Sequence, residues 1–346
     1  MAISTPFVAG IAVAEVFSRS LADCSSLFLI SAVVFLAAAS VSGGRSGAML
    51  SAALFFTGMF TLLSRKTTAS APPDIGLDTE WLKNAIGSIP FPHERTAPLL
   101  TALLCGDRSG LSSATRDSFR AAGASHILAL SGLHLGVIYA VITRCFSPFG
   151  GSRTAQKVRC VVTIALCGTY ALMTGAGASI VRAFLFITLR EILRLLPHRR
   201  MRSIDVLCAA LTIQLAISPE VISSVGFQLS YLAMAGIFLL MPVLEAWYPA
   251  GARDRFNPVR RIWTMMAMSI SCQIFTAPVV WLRFHTFPRH FLLTNLIAMP
   301  LTEVTVAGAV ALIALSAAGM RPAFLIAATD FLCEILQDCL SIITEI

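Results

Sequence analysis

The sequence predicts an all-α fold, a polytopic helical membrane protein with about nine to eleven transmembrane or re-entrant helices and an amphipathic surface helix. Three observations predict it. Hydrophobic residues make up 56% of the 346, and charged residues only 13%, against about 25% in a soluble domain. The apolar residues form long runs that do not alternate, so they do not fit an outer-membrane β-barrel. Lys and Arg are concentrated in particular connections between the runs. A chain so poor in polar surface cannot cover itself in water, and lipid is its solvent.

The elements follow in order. Residues 5–17, 26–42 and 47–63 are apolar segments with short connections, the first of them short for a span, and together they make an N-terminal membrane unit over 1–63. Residues 64–95 form a polar linker with Pro72, Pro73, Pro90 and Pro92, too short for an independent domain. The stretch 96–122 pairs helically spaced leucines (Leu99, Leu100, Leu103, Leu104) with Asp107, Arg108, Arg116, Asp117 and Arg120, and predicts the amphipathic helix. It opens a membrane domain over 96–346, whose further apolar segments lie at about 126–145, 158–174, 180–196, 204–218, 225–244, 262–284 and 291–317. In 323–346, Asp330, Glu334 and Asp338 recur every fourth residue and predict a helix lying on the surface, acids outward.

The net charge of +8 is distributed as a topology signal. Arg144, Arg153, Lys157 and Arg159 share one loop, Arg199, Arg200 and Arg202 a loop two spans later, and Arg253, Arg255, Arg260 and Arg261 the loop two spans after that. The loops between them, 175–179 and 219–224, carry neither Lys nor Arg. The alternation places the three basic loops in the cytoplasm and 64–122 outside. The nine cysteines are scattered without a CxxC pair, which predicts no obligatory disulfide and no metal site. The N-terminus has no charged leader region or clear cleavage site and is expected to be a retained span.

Polar groups inside apolar runs are the candidate functional residues, because each costs free energy in lipid unless it is paired or faces water. The densest set is His126 to His134, with Ser131 and Gly132 between them. On an unbroken helix His126 and His134 lie about 80° apart and Ser131 about 60° beyond, so all three share a groove. This reads as a polar cavity or pore lining. A serine hydrolase would need an acid to orient the histidine, and none is placed nearby; the spacing also differs from HExxH zinc sites. Arg182 opens an apolar run after a Gly-rich turn, where a guanidinium at mid-span costs about 2.5–3.5 kcal/mol. It either snorkels to the surface or has a task. Gln214, Gln228, Gln273 and Asn295, taken singly, fit hydrogen bonds between helices. Pro300 and Glu303 are expected to interrupt the segment 291–317, with Glu303 either a counter-charge or part of a polar lining.

Several blocks together resemble the ComEC-type competence proteins: Gly106-Asp107-Arg108-Ser109-Gly110-Leu111, Phe119-Arg120, Ser125 through His134, and Gly175 through Arg182-Ala183. The resemblance continues with Ile217-Ser218-Pro219, Val225-Gly226-Phe227-Gln228-Leu229-Ser230, Thr276-Ala277-Pro278, Phe284-His285-Thr286-Phe287-Pro288, Thr294-Asn295-Leu296 and Pro300-Leu301. They run in family order over about 95–301. The resemblance implies a channel in the bacterial inner membrane that carries single-stranded DNA into the cytoplasm. A passing strand would meet Arg108, Arg116 and Arg120 as backbone contacts, and His126, Ser131, Gly132, His134, Arg182, Gln228 and Asn295 along the path. Phe119 and Phe227 are the candidates for stacking on bases.

Larger members carry an oligonucleotide-binding β-barrel in the first outer loop and a C-terminal metallo-β-lactamase-like domain. Residues 64–95 leave no room for the first, and no histidine- and aspartate-rich motif marks the second. The expectation is a transport protein without cofactor, catalytic residue or nuclease of its own, acting as one chain or as a homo-oligomer and working with a separate DNA receptor, nuclease and cytoplasmic motor. A transporter of a smaller anion and an intramembrane hydrolase using Ser131 stand as alternatives.

Overall fold

The computed structural model describes residues 4–16, most of 51–62, 79–149, 152–196, 201–248, 257–285 and 290–345. The expected segment 26–42, the first half of the linker 64–95, and Arg199, Arg200, Arg253 and Arg255 lie outside the described residues. The described residues form α-helices and short 3-10 turns, with no strand among them.

The first apolar segment is α1 (Ser4–Val16). Gly10 and Gly58 let it lie close against residues 51–62, since a methyl on Gly10 would collide with the Phe55 carbonyl and one on Gly58 with that of Phe7. Next come α2 (Glu80–Gly87), α3 (Thr96–Cys105) and α4 (Ser113–Ala121). The single amphipathic helix expected over 96–122 is therefore two helices. Gly106 ends α3 in the left-handed conformation at φ 75°, a position glycine adopts without strain. Ser112 then starts α4 afresh, accepting the Thr115 N–H at 3.1 Å. The apolar and charged parts of the pattern separate: the leucines lie on buried α3, Asp107 and Arg108 in the turn, and α4 buries Phe119 and exposes its arginines.

Three helices form a compact antiparallel set: α5 (Gly132–Phe146), α6 (Arg153–Met173) and α7 (Ala178–Leu195). The turn between α6 and α7 is tight because Gly175 and Ala176 both take positive φ, 76° and 49°, and the Ala176 N–H closes on the Ala171 carbonyl at 2.8 Å. After α8 (Ser203–Ile217) come α9 (Val225–Leu239) and the short α10 (Met241–Ala246). Asn257 caps α11 (Pro258–Phe284), which has proline at its first position. The chain ends its described part with α12 (Phe291–Ala317) and α13 (Ala323–Glu345). Pro300 does not break its segment: α12 runs through it as one helix, as α11 runs through Pro278. A membrane helix tolerates the lost backbone bond when neighbouring structure absorbs it.

The stretches Val225–Ala246, Pro258–Phe284 and Phe291–Ala317 are long and apolar enough to cross a membrane. With the composition, they make the chain a helical membrane protein. Among the described residues its core has three large parts and a small one around Ile89, Leu312 and Ile326. The largest joins α2, α3, α4 and residues 122–128 to α12 and α13 through Leu99, Leu103, Phe119, Ile127, Val306 and Leu336. A second unites α5, α6 and α7 around Leu135, Cys167 and Ile180. A third packs α1 and residues 54–62 against α8 and α9. Each large buried side chain contributes about 1.5–3 kcal/mol relative to exposure in water. The Tyr170 hydroxyl, donating to the Leu104 carbonyl at 2.9 Å, fastens the second part to the first.

Candidate anion pocket and polar interior

The turn structure around α4 gathers the three arginines singled out by the sequence. Arg108, Arg116 and Arg120 line one pocket of about 340 Å³, together with Ser113, Asp117, Ser125 and Leu128. Arg116 and Arg120 stand one turn apart on α4. Arg108 is drawn in by its Nε, which donates to the Leu128 carbonyl at 3.2 Å. The buried Phe119 ring roots α4, and the chain reverses at Gly123, with the Ala124 N–H bonding the Phe119 carbonyl at 2.7 Å. The hydroxyl of Thr294, at the start of α12, pins this corner by donating to the Ala122 carbonyl at 2.7 Å. Beside the pocket, Asp107 is taken up by Lys83 at 2.8 Å and by the Ser109 N–H. The Lys83 ammonium holds the Asp107 carboxyl well below the usual carboxylate range.

Four residues beyond Leu128, α5 begins, and here the structure corrects the sequence reading. The helix starts at Gly132, not at His126, so His126, Ser131 and His134 do not share a helical face. His126 is exposed in the preceding turn, its Nδ1 3.1 Å from the Gly123 carbonyl. Ser131 is the N-cap: its Oγ accepts the Leu133 N–H at 3.2 Å, and its own N–H donates to His134 Nδ1 at 3.2 Å. Ser131 Oγ also lies 3.2 Å from His134 Nδ1, so the serine and the histidine are paired within this reciprocal cap. Since Nδ1 accepts from the backbone, the ring proton sits on Nε2. That Nε2 is fully buried and has no hydrogen-bond partner. No carboxylate among the described residues orients His134.

Gly132 abuts Arg182. A Cβ on this glycine would stand 2.5 Å from the guanidinium Nη2. Arg182 is only 7% exposed, so it does not snorkel. Its Nη1 donates to the Ser230 carbonyl of α9 at 3.1 Å, and its guanidinium carbon lies 5.9 Å from the Tyr231 ring centre. Its Nε–H has no acceptor and no carboxylate pairs with it among the described residues. Tyr231 in turn donates to Gln214 Oε1 at 2.9 Å, and Gln214 Nε2 to the Ala178 carbonyl at 3.0 Å. A polar seam thus crosses α7, α8 and α9.

The remaining candidates separate. Gln228 serves locally, donating to the Ile222 carbonyl at 2.8 Å. Asn295 keeps a buried Oδ1 without a partner on α12. Glu303 is exposed and forms no ion pair among the described residues. Phe119 and Phe227 are buried and pack, Phe227 against Tyr231 at 4.7 Å between ring centres, so neither presents a face to a base.

Two charged clusters were not anticipated. Glu191, 1% exposed on α7, accepts from the Tyr139 hydroxyl at 2.8 Å and pairs with Arg194 and, at 3.4 Å, Arg159. Asp330, expected on a solvent face, is buried against α3. Its Oδ1 accepts from Thr96, and its Oδ2 lies 2.7 Å from His93 Nδ1. His93 Nε2 faces Glu334 at 3.0 Å. The acid repeat in α13 marks the seam where α13 meets α3, and the signal available was the apolar residues flanking Asp330. Burial pushes the Asp330 carboxyl up, but the hydrogen bonds from Thr96 and His93 prevail and leave it lowered; Asp330 in turn raises His93. His93, Asp330 and Glu334 have the donor types that hold a divalent cation, within 4.8 Å of one another. With a carboxylate at each ring nitrogen, a doubly protonated His93 satisfies the same geometry.

A helical membrane protein with a basic pocket at one end of its bundle and a buried, uncompensated arginine farther in is the class that fold and site define. The family described as Competence protein matches residues 103–346, and the chain belongs to it. It is also similar to ComE operon protein 3 of Bacillus subtilis (strain 168), 26% identical over 215 residues. That match covers 62% of this chain and 26% of the relative, so the chain spans about a quarter of the length of the curated protein it matches. No solved structure matches the chain.

Proposed function

We propose that this chain forms the membrane path through which single-stranded DNA enters the cytoplasm during natural transformation. The observation that carries the reading is the basic pocket itself: three arginines converge beside Leu128, four residues before Gly132, the first residue of α5, which abuts Arg182. Family membership supports it. A DNA strand carries one phosphate per nucleotide, and cationic contacts along a hydrated path replace its counterions. Leu128 borders the pocket and Gly132 touches Arg182, so the short peptide between them links the entry to the interior. The charge alternation in the sequence favours an outward-facing pocket. Receptor, nuclease and motor are separate proteins in this reading. Catalysis by this segment is not part of it.

The test is deletion of the gene in a transformable host, scored for cytoplasmic entry of labelled DNA. Entry should fall to background and return with the wild-type gene. Normal entry in the deletion strain, with a smaller anion lost instead, would favour an anion transporter.

A further inference from the structure

We propose that the pocket lined by Arg108, Arg116 and Arg120 seats the terminal phosphate monoester of a DNA strand, not the internal diesters that follow it. This rests on the DNA reading above and specifies which part of the strand the pocket takes.

Charge makes the distinction. Three guanidinium groups against the single carboxylate of Asp117 leave the lining with an excess of two positive charges. A phosphate monoester carries about −1.5 to −2 at neutral pH and offers three terminal oxygens. An internal diester carries one charge and two such oxygens. The monoester is the match. The arginines are also available: Arg116 and Arg120 form no described ion pair, and Arg108 commits only its Nε, to the Leu128 carbonyl. Arginine forks grip phosphate oxygens in pairs. Ser113 and Ser125 add hydroxyls to the same lining, and Ser113 is the first residue of α4, where the helix end favours an anion. A volume of about 340 Å³ is at the small end of ligand pockets and has room for a phosphate with its first nucleotide.

Transport gives a second reason. A path conducts only if its sites release what they bind. Three arginines matched to every internal phosphate would stall the strand at each nucleotide. Matched to an end group, the pocket acts once per strand. It captures the end and presents it to the Leu128–Gly132 peptide and the interior beyond. Asp117 then has a task, since it holds the surplus at two charges and so favours the end group over the diester.

The experiment uses the full chain in lipid nanodiscs and fluorescent single-stranded oligonucleotides of one sequence, with a 5′-phosphate, a 3′-phosphate or hydroxyls at both ends. One phosphorylated form should bind about tenfold more tightly than the hydroxyl form, and inorganic phosphate should remove that advantage. Arg116→Gln with Arg120→Gln, both on an exposed face, should erase the advantage. Asp117→Asn should narrow it by tightening the hydroxyl form. Equal binding of all three oligonucleotides overturns the proposal and leaves the DNA reading standing. Binding of inorganic phosphate with no oligonucleotide binding overturns both, and assigns the pocket to a free phosphate.

Discussion

Helix α7 buries two charges about two and a half turns apart, and they are treated in opposite ways. Glu191 is met by a tyrosine hydroxyl and two arginines from its own helix and α6. Arg182 meets a carbonyl and an aromatic ring, and no acid. Glu191 is neutralised where α5, α6 and α7 come together, although its Oε2, 3.4 Å from Arg159, accepts no hydrogen bond among the described residues. Arg182 remains a cation in want of an anion, in a chain whose proposed cargo is a polyanion. On the function proposed above, Glu191 is the structural charge and Arg182 the charge kept for a ligand.

The largest expected effect tests that contrast directly. Arg182→Gln should reduce DNA entry by about tenfold or more while protein level and thermal unfolding in detergent stay near wild type, because the Ser230 carbonyl and the Tyr231 ring lose a contact but no charged partner is orphaned. Glu191→Ala should do the reverse. It strands Arg159 and Arg194 and should cost about 3 kcal/mol, the low end for a broken buried pair because both arginines reach solvent. That loss is read as a lower unfolding temperature and lower abundance. If Arg182→Gln unfolds the protein and Glu191→Ala does not, the comparison is inverted.

Gly132→Ala is the next step down. The added methyl meets Arg182 Nη2, the far end of a flexible side chain, so the guanidinium yields and stability changes by less than about 1 kcal/mol. Entry of labelled DNA should fall severalfold. An alanine variant with full transport would show that the position of Arg182 does not matter to passage.

The smallest effect concerns His93 and Asp330. His93 is raised, so its contribution is complete below the ordinary histidine value and fades as pH rises through the raised one. Asp330 is lowered, so its contribution is present above the ordinary aspartate value and fades in strong acid. Thermal stability scanned from about pH 5 to about pH 9 should therefore decline modestly on the alkaline side, and His93→Gln should flatten that slope. An unchanged slope would remove His93 as its cause.

The helical membrane class was legible because hydropathy is a one-dimensional property. The three pocket arginines were also legible as a group, since local chain reversal at Gly106 and Gly123 returns them to one place. The start of α5 was not. Ser131 reads as part of an apolar run, and only the cap geometry shows that the helix begins after it. Asp330 was misassigned because a period of four describes a face without saying what covers it. The cover here is a histidine and a threonine more than 230 residues earlier in the chain. Glu191 stands among Arg190 and Arg194 on α7, whereas Arg182 lies in the first turns of that helix with no acid near it in sequence, and only the fold shows that none reaches it among the described residues.

The contact between Gly132 and Arg182 has a mechanical consequence. A guanidinium fitted against a residue without a side chain acts as an index pin between α5 and α7. Sliding either helix by one residue would drive Leu133 or Ser131 into the arginine. The two helices must move as one piece, so any widening of the interior falls to seams without such a pin. Motion should therefore concentrate where α5 meets α12, and not where α9 meets α11, since Gly236 there lies against the Ser271 backbone.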